Sequence, residues 1–323
     1  MPATTLKHPV GGLNAASPSL SALREYLLPP LDRIFKSPTD DPNGEPPPLD
    51  FAYYMGVYTA CVNYLTKRPP GTSYDDVGRD LYALFDGYFE QTTKELLLQA
   101  PSSGIALIQY LVSSFNRYHA AASLSGRLMK YYERHWVRRE VDEGRGWFQP
   151  TVDMGMTPDE LDHPTFKNSK KYRKKKLEEL RKWGYKDGDS SEQIATFEKY
   201  AEAASPLNRA VPVASMAHRR FRTELIEPLL EAPHVVSPST NPESNIENAT
   251  SDDAGQTKGR LFSAVEELLA GENLDQGERI RLATGLANML KVIGLEEDYV
   301  LRKKLDDYIY LHLSTTPQTL IVV

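Results

Sequence analysis

The chain has 323 residues, of which 40% are apolar and 25% are charged, proportions typical of a globular protein with its own hydrophobic core. A single cysteine excludes an intrachain disulfide, a cysteine-based zinc cluster and a redox pair. The net charge of −6 excludes an overall basic field that would hold nucleic acid. Because no stretch has the apolar core of a signal peptide or the length of a membrane span, we expect a protein of the cytoplasm, the nucleus or both, without a membrane partner.

The first two predicted helices are separated by a proline-rich connector. Residues 1–18 are small and polar and are predicted to be a disordered N-terminus. A helix is predicted at residues 19–35, and Asp50 has the character of an N-cap for a second helix that ends near Arg68. This second helix is apolar nearly all round, which indicates either complete burial or burial on one side with a partner on the other.

Three more helical stretches complete the first half. Apolar residues at helical spacing predict helices at residues 74–99, 105–118 and 120–143, with Gly144 as the C-terminal stop. No segment alternates with a period of two residues, so the predicted fold class is all-α. Residues 19–148 are expected to form one complete five-helix bundle.

The second half alternates polar segments with further helices. Residues 149–209 are predicted to be a polar, basic insertion, and residues 233–259 a disordered linker. Helical spacing predicts four helices here, at residues 213–230, 261–269, 275–293 and 296–313. The first of them has Met216, Phe221, Leu225 and Leu229 as its candidate core. Residues 210–313 are thus expected to form a partial second helical unit, followed by a tail at residues 314–323.

None of the common catalytic patterns is present: there is no G-x-G-x-x-G, no P-loop, no H-E-x-x-H and no G-x-S-x-G. No two of the seven histidines are spaced three or four residues apart, as a metal pair on one helix would be. Cys61 lies in the apolar stripe of the second helix and is interpreted as a small buried hydrophobic residue. We predict no catalytic residue, no metal site and no cofactor.

A basic run at residues 167–186 contains ten Lys or Arg in twenty residues. It is typical either of a nuclear localisation or nucleic-acid patch, or of a solvated helix whose charge is balanced by neighbouring acids such as Glu178 and Glu179. The second interpretation is favoured, and nucleic acid is not an expected partner.

The segment YYERHWVRREVDEG, from Tyr131 to Gly144, combines aromatic residues with both signs of charge. Arg138 and Arg139 stand three to five residues before the acids Asp142 and Glu143, and the i, i+4 spacing within this set predicts ion pairs on a helix surface. By residue chemistry the segment is a solvated helix end that carries a buried tryptophan at position 136.

This segment closely resembles the end of the fifth helix of the first repeat in the SCF-type cullins, where a tyrosine precedes R-H-W-V-[KR]-R-E and then D-E-G. The segment YMGVYTACVNYLT, from Tyr54 to Thr66, resembles the second helix of the same repeat. Weaker resemblances follow at HRRFRTELIEPLL and at AVEELLAGENLDQGERIRLATGLANMLKVIGLEED, so most of residues 19–300 is covered. One departure is Gly56, which replaces a usual acid and costs about 1 kcal/mol of helix stability relative to alanine.

The resemblance implies an elongated array of cullin repeats, of which this chain has one complete repeat and part of a second. Cullins are scaffolds of ubiquitin ligases, so the implied function is non-enzymatic and belongs to ubiquitin-dependent protein catabolism. The implied partner is the BTB/POZ-type adaptor of an SCF-like ligase with its F-box receptor. The C-terminal domain that holds the RING-box protein and the modified lysine has no counterpart here, so no RING-box partner is expected.

In the family, the second and fifth helices of the first repeat present a face to the adaptor. Transferred by position, the expected contact residues are Tyr54, Met55, Tyr58 and Val62 from the second helix and Leu128, Tyr131 and Tyr132 from the fifth. For each of them, burial in the bundle core is the alternative interpretation. Trp136 is assigned to the core, with His135 as its polar neighbour.

Three other interpretations of the whole chain stay open at this point. A short cullin-like protein that holds the adaptor without recruiting the RING-box protein would compete with a full-length cullin. A truncated gene product would have the same sequence features, and the apolar LIVV at the C-terminus favours it slightly. Nucleic-acid binding through residues 167–186 is the alternative from a different class.

Overall fold

The structure, a computed structural model, describes residues 19–37, 44–68, 71–155, 157, 169–231, 259–271 and 274–314. Every regular element within these ranges is a helix, which confirms the predicted all-α class. The predictions of disorder for residues 1–18 and 233–259 and of a tail at 314–323 fall outside the described residues, except at Gly259 and Ser314.

The first five helices follow the predicted order, and the first three begin at a polar residue whose side chain caps the helix. Asp50 is the predicted N-cap of the second helix, and its carboxylate accepts a hydrogen bond from the backbone N–H of Ala52 at 3.1 Å. Ser73 and Asp76 form a reciprocal capping box at the start of the third. The helices are α1 (Leu20–Lys36), α2 (Phe51–Thr66), α3 (Tyr74–Gln99), α4 (Gly104–Leu128) and α5 (130–145).

The boundary between α4 and α5 differs from the prediction. The expected break near His119 is absent from the described chain, and one helix continues through the alanine-rich stretch to Leu128. The break comes at Met129, whose ψ angle is 14°. Within α5, Glu133–Val137 and Val141–Arg145 form wider π-type turns, and Gly144 takes the left-handed conformation with φ 84°. The predicted stop at this glycine is therefore confirmed.

The second half contains two helices that the sequence pattern missed. The helices are α6 (Pro150–Asp153), α7 (Lys170–Leu180), α8 (Ser191–Ala204), α9 (213–230), α10 (Arg260–Ala270), α11 (Gln276–Val292) and α12 (Val300–Ser314). The unpredicted helices are the short α6 and α8, and α8 begins at a capping box formed by Ser190 and Gln193. Together α7 and α8 enclose a small apolar cluster around Leu180, Trp183 and Ala201. The indole N–H of Trp183 donates to the carbonyl of Gly294 at 2.9 Å, so the end of the basic helix α7 is anchored to the turn that follows α11.

Helix α9 connects the two halves through one continuous buried core, which extends from α1–α5 to α9–α12. Its predicted core residues are all buried, namely Met216, Phe221, Leu225 and Leu229. The arginines of α9 also make polar contacts with other parts of the chain. The Arg219 side chain is 0% exposed and donates to the carbonyls of Pro206 and Arg209, each at 2.9 Å. Arg220 pairs with Asp86 of α3. The division into units at residues 148 and 210 stays a prediction.

Trp136 lies in the core, as predicted. It is 2% exposed and stacks on Tyr132 with ring centroids 5.5 Å apart and an interplanar angle of 9°. Gly78 of α3 makes room for the indole, since a Cβ atom at that position would lie 2.0 Å from the ring. Tyr132 and Trp136 therefore hold α5 against α3.

A buried pair of histidines lies between α4 and α9. His119 Nδ1 and His218 Nε2 are 2.9 Å apart, and the two rings stack with centroids 4.9 Å apart. Burial lowers the pKa of both imidazoles, that of His218 to about 3, with the charge of Lys199 as a further cause. Both rings are thus neutral at pH 7, and one ring donates a hydrogen bond to the other.

We expect the stability contributed by neutral His218 to be lost as the pH falls from 7 to 5. Its folded-state pKa lies below the ordinary value of about 6.5, so over this range the unfolded chain binds a proton that the folded chain does not. His218→Gln should reduce the fall in unfolding free energy between pH 7 and pH 5 by roughly 2 kcal/mol, measured by urea denaturation.

Comparison of His218→Gln with the wild type isolates the contribution of His218 to the pH dependence of the unfolding free energy. The comparison is needed because Glu202 changes this free energy with pH in the opposite direction. Burial raises the pKa of the Glu202 carboxyl to about 7, so its contribution is lost as the pH rises from 4.5 through 7. His135→Gln, which removes an exposed histidine, is the matched control and should keep the wild-type pH dependence. The same pH dependence in His218→Gln and in the wild type would contradict the assignment.

Candidate functional site

Helix α2 has one buried face and one face toward solvent, although both are apolar. Tyr53, Val57 and Tyr64 are buried against the bundle, as is Cys61, where burial raises the pKa of the thiol to about 12. On the other face, Phe51 is 77% exposed. Since a helix hydrophobic on all sides is normally enclosed, an exposed apolar side indicates a surface that binds a partner.

The exposed side of α2 continues onto α5. Tyr58 of α2 meets Tyr131 of α5 edge to face, with ring centroids 6.0 Å apart, and Tyr131 lies over His135 at 4.3 Å. The hydroxyl of Tyr54 donates to the carbonyl of Arg127, at the end of α4, at 3.2 Å. We call this surface the aromatic face; it comprises Phe51, Tyr54, Met55, Tyr58 and Val62 of α2 and Tyr131 and His135 of α5.

Five of the seven predicted contact residues lie on the aromatic face. Met55 is 40% exposed, and the other four are partly exposed, namely Tyr54, Tyr58, Val62 and Tyr131. The geometry brings these five side chains together on neighbouring helices. That a partner contacts them stays a prediction.

The other two predicted contact residues, Leu128 and Tyr132, are corrected to core positions. Leu128 is 1% exposed and Tyr132 is 0% exposed. The Tyr132 hydroxyl donates to the carbonyl of Gly78 at 3.0 Å, and its ring stacks on Trp136. Residues 128, 132 and 136 are spaced four residues apart, and their side chains all point toward the core. They are therefore shielded from a partner.

Two residues of the aromatic face were missing from the predicted contact set. Phe51 directly follows the N-cap of α2, and its four-residue spacing to Met55 was the available signal. His135 was interpreted only as a neighbour of Trp136, whereas its ring packs on Tyr131 and is exposed. Both missed residues stand one helical turn from a predicted one.

The acids of α5 hold the helix in place. Glu133 points inward, and its Oε1 accepts from the backbone N–H of Val213, the first residue of α9, at 2.8 Å; burial raises the pKa of this carboxyl. Glu140 is buried and pairs with Arg145, with Nη2 and Oε1 2.7 Å apart. The aromatic face is thus held on a helix that is tied to the second half of the chain.

The predicted ion pairs at the end of α5 are present on the surface. Arg138 lies 3.9 Å from Asp142, and Arg139 lies 3.7 Å from Glu143. Exposed pairs at i, i+4 spacing contribute only about 0.3–0.5 kcal/mol each. These charges therefore solvate the helix end, as the spacing predicted.

Gly56, the departure from the cullin pattern, has a packing reason. It is buried, and a Cβ atom there would lie 2.0 Å from the hydroxyl oxygen of Tyr26 on α1. Tyr26 in turn stacks on Tyr53, with ring centroids 6.1 Å apart. The glycine lets α1 and α2 approach closely, which offsets part of its cost to the helix.

The described part of the chain contains no group of three or more His, Cys, Asp or Glu side chains placed to hold a metal ion. None of the helices in the described ranges is both long and apolar enough to cross a membrane.

Sequence comparison relates the chain to cullins. It is 28% identical over 123 residues to Cullin-1 of Dictyostelium discoideum, covering 35% of this chain and 16% of that protein. It is 26% identical over 125 residues to Cullin-1 of Caenorhabditis elegans, covering 30% of this chain and 16% of that protein. No protein-family profile and no solved structure matches the chain. The chain therefore spans about one sixth of the length of these relatives, and over about a third of its own length it is similar to cullins.

Proposed function

We propose that this chain is a non-enzymatic, cullin-like scaffold segment that binds the BTB/POZ-type adaptor of an SCF-like ubiquitin ligase, with its F-box receptor, through the aromatic face. The observation that carries the proposal is the position of this face. Its residues other than Phe51 come from the two segments whose sequences resemble the SCF-type cullins, and they lie side by side on α2 and α5. The process served would be ubiquitin-dependent protein catabolism.

The chemistry of the aromatic face suits protein recognition. Phe51 and Met55 expose large apolar surfaces, and Tyr58 and Tyr131 add rings with a polar end. Aromatic residues and methionine are enriched at protein interfaces, where a few of them normally contribute most of the affinity. Because the tyrosine rings already pack on one another, little side-chain freedom would be lost on binding.

The test is a direct binding measurement with the full chain. The adaptor, purified with an F-box fragment bound, is injected over the immobilised chain in a surface plasmon resonance experiment. We expect a dissociation constant of about 1 μM or tighter, the range of specific interfaces of standard size. Circular dichroism verifies that the chain is folded. A folded wild type that shows no binding at adaptor concentrations of about 50 μM contradicts the proposal.

A further inference from the structure

A line of positive charge borders the aromatic face. Arg127 at the end of α4 and Lys130, Arg134 and Arg138 on α5 are all exposed, at steps of three to four residues. We call these four residues the basic stripe. It stands out in a chain whose net charge is −6. Such a local patch raises the concentration of acidic partners at the surface.

The acids Glu133 and Glu140 of α5 do not pair with the basic stripe. Glu133 is directed to Val213 and Glu140 to Arg145, so both carboxylates face the interior. Among the described residues, Arg127, Lys130 and Arg134 have no ion-pair partner, and the one partner of Arg138 is Asp142, at 3.9 Å. Within YYERHWVRRE the two acids therefore face the interior, whereas Arg134 and Arg138 are exposed.

The stripe is continuous with the aromatic face. The backbone carbonyl of Arg127 accepts the hydrogen bond from Tyr54, and Lys130 and Arg134 are the chain neighbours of Tyr131 and His135. Protein interfaces commonly have an apolar centre and a polar rim, and charges at the rim mainly set the rate of association. The basic stripe lies along one side of the aromatic face, in the position of such a polar rim.

We propose that the partner bound on the aromatic face is a protein that presents an acidic surface to the basic stripe, and that this charge pairing accelerates its association. The proposal rests on the proposed function and adds the charge of the partner's contact surface. A protein is favoured over nucleic acid because the cations border large apolar side chains, Phe51 and Met55, and the chain as a whole is acidic.

The experiment measures association kinetics of the full chain with the purified adaptor at several salt concentrations. Lys130→Glu with Arg134→Glu is the test variant. Arg281→Glu with Lys303→Glu, which changes two exposed cations of α11 and α12, is the control with the same change in net charge. At low salt we expect the test variant to associate about tenfold more slowly and with a flatter salt dependence, while the dissociation rate changes less than about threefold. The control should match the wild type, and equal melting temperatures of both variants establish folding.

A second measurement locates the partner's carboxylates. A carbodiimide joins an amine to a carboxylate only where the two are in contact, so Lys130 should be cross-linked to an Asp or Glu of the adaptor and identified by mass spectrometry. Cross-links that omit Lys130, or an unchanged association rate in the test variant, overturn the acidic-partner proposal and leave adaptor binding intact.

Two other outcomes are distinguishable. Failure of the folded wild type to bind the adaptor overturns this proposal together with the proposed function. Binding of a short DNA duplex that is lost in the test variant, with adaptor association unchanged, assigns the stripe to nucleic acid and overturns the proposal.

Discussion

Alanine at positions 55 and 58 together is expected to weaken adaptor binding by about 3 kcal/mol, which is roughly 100-fold in the dissociation constant. Met55 is 40% exposed, and Tyr58 lies next to it on the aromatic face with its ring edge to face with Tyr131. Removal of the thioether and the phenol would leave a shallow depression at the centre of the surface, where truncation is most costly. Titration calorimetry measures the change.

Met55 is preferred to Tyr54 for this test because Tyr54 has a structural bond. Its hydroxyl donates to the carbonyl of Arg127, so Tyr54→Ala would change the α2–α4 contact as well as the surface. Loss of the Tyr58–Tyr131 contact should cost the fold only about 0.5–1.5 kcal/mol. The matched control is Leu98→Ala with Tyr310→Ala, which truncates two highly exposed apolar residues elsewhere. A loss of affinity below about threefold in the test variant, or an equal loss in the control, contradicts the assignment.

Replacement of Arg219 with methionine is expected to lower the free energy of unfolding by about 3–5 kcal/mol. The guanidinium is fully buried, and its N–H groups reach the carbonyls of Pro206 and Arg209 and the hydroxyl of Tyr82, the last at 3.1 Å. Methionine fills much of the volume but leaves the buried carbonyl of Pro206 without this donor, and the carbonyl of Arg209 keeps only the hydroxyl of Tyr82, at 2.9 Å. Urea denaturation measures the change.

The loss should be specific to the buried arginine. Arg138→Met, which removes an exposed guanidinium from α5, is the control and should change the unfolding free energy by less than about 0.5 kcal/mol. A change below about 1 kcal/mol for Arg219→Met would show that the carbonyls of the 206–209 loop are satisfied by other groups.

The helices with strong periodicity were predictable, and so was most of the aromatic face. In α2 the N-cap, the apolar stripe and the excess of apolar surface all follow from residue order, whereas Met55 and Tyr58 were named as contact residues through the resemblance to cullins. The break between α4 and α5 was not predictable, because His119 has no local feature that distinguishes it from a helix interior and Met129 has none that marks a break. That break depends on the packing of the surrounding helices.

Which residues of α5 point inward and which point outward could be learned only from the structure. Tyr131 and Tyr132 are adjacent in the sequence and identical in type, yet one packs on His135 at the surface and the other on Trp136 in the core. Because the helix has apolar residues on both sides, the sequence pattern did not indicate which of the two tyrosines is buried. The polar contacts of Arg219 were also unpredictable, because its acceptors are backbone carbonyls of a loop.

The bond from Glu133 to the first turn of α9 sets a lower limit on the part of the chain that can carry the aromatic face. In a fragment of residues 19–148 this carboxylate would lose its partner Val213, and the sides of α3 and α4 now covered by α9 would face water. Tyr131 and His135 lie within two residues of Glu133 and would move with it. We therefore expect a fragment that keeps the aromatic face in its present position to include α9.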